Sequence, residues 1–154
     1  MGKLTKDQIE EYFKTHLPYR NRILTAHKKI CELGSYNGDP AILDACFEAS
    51  LITGRMYLNV LGISKASNTK LSEMKFKNDD VSAEDLGGKL VDIKTLTADE
   101  IDLLWNFLIM VDKGAAHLTL PKTQKWQKSH EAIEKILELV KKYIYKSTNR
   151  KMKE

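Results

Sequence analysis

The chain is expected to be all-α, an up-and-down helical bundle of four main helices preceded by a short N-terminal helix. Three observations carry that expectation. Apolar residues recur at i, i+3, i+4 and i+7 along most of the 154 residues. Only 8 Gly and 3 Pro are present, too few for the many turns of an all-β fold. Helix-start signals stand in front of the apolar runs. The length suits one domain with a real core. That domain spans residues 1–146, and residues 147–154 read as a basic polar tail expected to fray.

Each element has its own signal. Thr5-Lys-Asp-Gln8 is a capping box for a short helix reaching about His16. Pro18 stands near the start of a second helix running to Leu33, with Ile23, Leu24, His27, Ile30 and Cys31 as its stripe and Gly34 as its stop. Asp39-Pro40, a cap followed by proline at the first helical position, opens a third helix to about Leu61. That helix is apolar nearly all round and is expected at the centre. Its narrow polar strip holds Asp44, Glu48, Arg55 and Asn59, and Arg55 is expected either to form an ion pair or to lie on a solvated strip, with anion binding as the alternative.

Residues 64–96 break the helical pattern and read as a long irregular segment between the third and fourth helices. A weak turn is expected after Ser82, stopped by Gly87-Gly88, and a short extended piece over Lys89–Thr95. Thr97-Ala-Asp-Glu100 caps the fourth helix, which Pro121 breaks. The last helix runs from about Thr123 to Lys146. Its seam, Trp126, His130, Ile133, Leu137, Val140 and Ile144, alternates spacings of four and three.

Charge is distributed unevenly. From Lys122 to Glu154 there are nine Lys and one Arg against four Glu, a net +6, whereas residues 1–121 carry −2. Clustered cations attract phosphates and acidic surfaces. Lys122, Lys125, Lys128, Lys141, Lys142, Lys146, Arg150 and Lys151 are therefore candidate nucleic-acid contacts. Trp126, Tyr143 and Tyr145 are interleaved with them as candidate stacking partners for bases. No apolar run is long enough to cross a membrane and no signal peptide is visible, so a cytoplasmic location without membrane attachment is expected. Cys31 and Cys46 lie within helices and read as free thiols.

The segment Arg20-Asn-Arg22-Ile-Leu-Thr-Ala-His27 pairs cations with an imidazole at short range. It resembles the signature of the HEPN superfamily of small helical bundles, an Arg followed by a polar residue and, four to six residues later, a His. The resemblance implies metal-independent RNA cleavage at a dimer interface, with His27 acting on the ribose 2′-hydroxyl and Arg20 or Arg22 stabilising the phosphate. Such a step needs a group titrating near neutral pH and a fixed cation. The family's motif lies near the start of the last core helix, whereas this one lies in an early helix. Nearer the family's position stands Lys113-Gly-Ala-Ala-His117. A bundle that brought His117 against His27 would strengthen the reading.

His27 and Cys31 share a helix face, and Cys46 with His117 or His130 would complete four metal ligands. Without a Cys-x-x-Cys or His-x-x-x-His pair, the expectation is no metal and no cofactor. The leading expectation is a non-enzymatic binding module whose partner is RNA or another anionic surface, and which forms a homo-oligomer through apolar helix faces. The alternatives are the HEPN-like ribonuclease of a defence or toxin system, and a protein–protein adaptor.

Overall fold

A computed structural model describes residues 3–66, 70–112 and 128–152. It is mostly helical, and the all-α expectation holds at that level. The helical elements are α1 (Lys6–Glu11), α2 (Leu17–Leu33), α3 (Pro40–Val60), α4 (Ala98–Met110) and α5 (Ser129–Val140). The sequence signals act where they stand. Thr5 and Thr97 each accept the N3 amide, from Gln8 and Glu100, whose side chains return to the cap amides at 2.8 Å. Asp39 Oδ1 accepts the Ala41 amide at 2.9 Å, and Gly34 ends α2 in the left-handed conformation.

The first two expected helices are one helical run. A wide π turn, Tyr12–His16, joins α1 to α2, with the Leu17 amide bonded to Tyr12 O. Pro18, without an amide hydrogen, stands two residues past the end of this turn. A second π turn, Lys141–Tyr145, extends α5 and leads to a short 3-10 turn, Lys146–Thr148.

Around α3 the core closes. Ser50 and Gly54 put small residues on adjacent turns of one face, and neighbouring helices approach there. Ser50 Oγ lies 3.0 Å from Ile23 O of α2. A Cβ at Gly54 would stand 2.6 Å from the Phe107 ring of α4 and 3.3 Å from Ile136 Cδ1 of α5. Leu51, Tyr57, Leu58, Leu104, Phe107 and Ile136 are buried together here. Arg55, on the expected polar strip, pairs with Asp112 at 2.7 Å, and Lys65 shares that carboxylate at 2.6 Å.

Part of the irregular segment is ordered by a small antiparallel sheet that the periodicity does not announce. Strand β1 (Ile63–Lys65) pairs with β2 (Leu71–Glu73), Ser64 facing Ser72. Three residues are too few to display an alternation. The rest is held by backbone bonds to helix ends: Ala83 to Val60 O, Val91 to Leu61 O and Lys89 to Tyr143 O. Gly88 runs against that last contact, where a Cβ would lie 2.5 Å from Tyr143 O. The turn expected after Ser82 is present over residues 83–87. The extended piece expected over Lys89–Thr95 stops short of its expected end, because Asp92, itself extended, caps a 3-10 turn at Ile93–Thr95.

Two further expectations need correction. The buried stripe of the last helix is wider than the expected seam. Ala132, Ile136 and Leu139 are buried with Ile133, Val140 and Ile144, while Leu137 and His130 sit half-exposed at its edge. The tail does not fray over its described length. The Arg150 guanidinium pairs with Glu10 and lies 4.2 Å over the Phe13 ring, which pins the chain back onto α1.

Candidate nucleic-acid interface

Helix α2 and the last helix run side by side in opposite directions, joined at three levels. At one end Asn21 Nδ2 donates to Tyr145 Oη at 3.0 Å. Lys28 pairs with Glu134 further along. At the far end His27 Nδ1 lies 2.8 Å from His130 Nε2. Asn21 is buried and also accepts from Tyr57 Oη at 2.6 Å, so one side chain ties α2 to α3 and to the C-terminal turn. Burial raises the hydroxyl pKa values of Tyr57 and Tyr145, which keeps both protonated, Tyr57 as a donor to Asn21 and Tyr145 as an acceptor from it.

Between these levels, on the outer side of the helix pair, lies a groove of about 160 Å³. Arg22, Thr25 and Lys29 line it from α2, Leu137 and Lys141 from the opposite side, and Met152 from the returning tail. Arg22 and Lys29 are seven residues apart, two helical turns, and so project from one face. Among the described residues no carboxylate pairs with Arg22, Lys29 or Lys141. Three uncompensated cations therefore converge on one concave surface, an arrangement that attracts an anion with several charged oxygens.

The residues singled out from sequence divide sharply. Lys141 and Arg22, assigned there to different roles, meet in this groove. Lys128, Lys142, Lys146 and Lys151 are exposed around it or beyond it, and Lys142 Nζ stands 5.0 Å over the Tyr143 ring. Arg150 is committed to Glu10 and Phe13. Tyr145 is buried in the Asn21 network and offers no face to a base. Lys122, Lys125, Trp126, Lys113 and His117 lie outside the described residues. Lys29 and Met152 were missed. Lys29 was legible as the i+7 partner of Arg22; Met152 joins only because the tail folds back.

The Arg20–His27 motif is spread over different surroundings. Arg22 faces the groove. His27, five residues on and so about 140° round the helix, turns toward α3 and α5. Its ring packs edge-on against Phe47, 4.8 Å between centroids, and Cys31 Sγ lies 3.6 Å from Nε2. Burial, reinforced by His130, lowers the His27 pKa, and Asp44 partly opposes this. Arg20 is exposed on another surface, stacked 5.4 Å from the Tyr19 ring. Cys31 and Cys46 are free thiols. Among the described residues no three His, Cys, Asp or Glu side chains are arranged to hold a metal ion, and no helix is long and apolar enough to cross a membrane. Comparison with family models, with curated proteins and with solved structures finds no match to this chain.

Proposed function

We propose that this chain is a helical-bundle module that binds the phosphate backbone of single-stranded RNA along the groove between α2 and the last helix. The observation that supports it is the convergence of Arg22, Lys29 and Lys141 without carboxylate partners among the described residues. Exposed Lys142, Lys146 and Lys151 enlarge the positive field around the groove and steer a polyanion toward it. Self-association through apolar surface belongs to the same proposal, and the exposed Leu33 and Ile42 beside the α2–α3 turn support it.

The test is fluorescence anisotropy of a labelled single-stranded RNA in excess chelator. Saturable binding that weakens with salt and is lost on Arg22→Glu or Lys141→Glu, with an unchanged circular dichroism spectrum, supports the assignment. Failure to bind at low salt overturns it.

A ribonuclease activity of the HEPN-like kind is a second reading, favoured by the 2.8 Å contact between His27 and His130. Two imidazoles in contact can supply a neutral base and a protonated acid to one phosphodiester. The same RNA samples run on a gel decide it. Cleavage abolished by His27→Ala supports this reading, and intact RNA removes it without touching the binding proposal.

A further inference from the structure

A second, larger cavity of about 530 Å³ opens on a different face, between α2, α3 and the segment that follows β2. Its size falls within the range of small-molecule sites, about 300–1,000 Å³. The floor is apolar: Met56 and Val60 from α3, with Met74, Phe76 and Leu86 from the irregular segment. Tyr57, fully buried, lies behind this floor. On the helical rim stand Arg20 and Arg55. Among the described residues no carboxylate pairs with Arg20, and Arg55 shares the single carboxylate of Asp112 with Lys65, so this rim carries surplus positive charge. The opposite rim holds Asp79 and Asp80. There Asp80 Oδ2 accepts the Lys77 amide at 2.6 Å, and Lys3 Nζ donates to the Asp80 and Lys77 carbonyls at 3.0 Å, which adds a cation to the acidic side. We infer that this cavity binds a small amphipathic anion, its apolar or aromatic body on the Met56–Phe76 floor and its acidic group against Arg20.

The inference is independent of the RNA groove. It is tested with two fluorescent probes of matched shape, 1-anilinonaphthalene-8-sulfonate and its uncharged analogue N-phenyl-1-naphthylamine, on the full chain in its native state. The sulfonate should bind once per chain and more tightly than the neutral probe by about tenfold, the factor one charge-assisted contact contributes. Arg20→Gln should remove that advantage while leaving the neutral probe's affinity unchanged. Ile52→Glu, at an exposed position on the cavity rim, should weaken the sulfonate through like charge. Excess single-stranded RNA should not displace it. Non-saturable binding, equal affinity for both probes, insensitivity to both substitutions, or displacement by RNA would each overturn the assignment.

Discussion

Arg22 in α2 and Lys141 at the end of α5 line one groove, although nearly the whole fold lies between them in the chain. The pairing depends on the opposite run of the two helices, which sets the start of one against the end of the other. It gives neighbouring lysines unequal roles. Lys141→Ala should weaken RNA binding at low salt more than Lys142→Ala, although each removes one charge. Anisotropy titrations of the two variants measure the difference. Equal losses would mean that net charge alone, and no groove, holds the RNA.

Stability should fall as pH drops below about 6.5, the ordinary value from which His27 is displaced. Its folded-state pKa lies below that value, chiefly through burial. The unfolded chain therefore takes up the proton first, and stability is complete above the unfolded pKa and lost toward the folded one. Urea unfolding between pH 5 and 8 should show this limb, and His27→Gln should flatten it. A later acid limb should remain in the variant. It arises from carboxylates such as Glu134, held below its ordinary pKa by the hydrogen bond and charge of Lys28. An unchanged slope in His27→Gln would contradict the assignment.

Gly54→Ala should destabilise the fold by about 1–3 kcal/mol, because the new methyl meets the Phe107 ring before the helices can separate. In an open helix the same substitution stabilises, by about 0.8–1.0 kcal/mol. The sign of the shift in urea midpoint therefore reads directly whether α3 and α4 pack as closely as described.

Asn21→Ala should cost about 1–3 kcal/mol, since it removes a partner from two buried hydroxyls at once. Tyr57→Phe should cost less, because Asn21 Nδ2 keeps its bond to Tyr145. A double-mutant cycle of the two should be clearly non-additive. Additive losses would show that the network is not a unit.

Much of the helical framework was legible because its signals are local. Capping boxes at Thr5 and Thr97, Asp39-Pro40 and Gly34 act on their own turns and need no tertiary context. The sheet was not legible, since β1 and β2 are three residues each and are ordered by pairing with one another. The groove was half legible. Charge asymmetry pointed to the last helix and found Lys141, but the helix on the other bank is fixed by Asn21, Lys28 and His27, whose partners only the fold reveals. The same limit hid the imidazole that reaches His27 among the described residues, which is His130.

The most direct test of the central claim is the salt dependence of RNA affinity for the wild type and for Arg22→Ala/Lys29→Ala/Lys141→Ala. Each phosphate contact on a single strand contributes about −0.7 to the slope of log K against log salt. Three contacts in the groove predict that the triple variant is shallower than the wild type by about two, with its circular dichroism and urea midpoint preserved. Identical slopes in the two proteins would contradict the account.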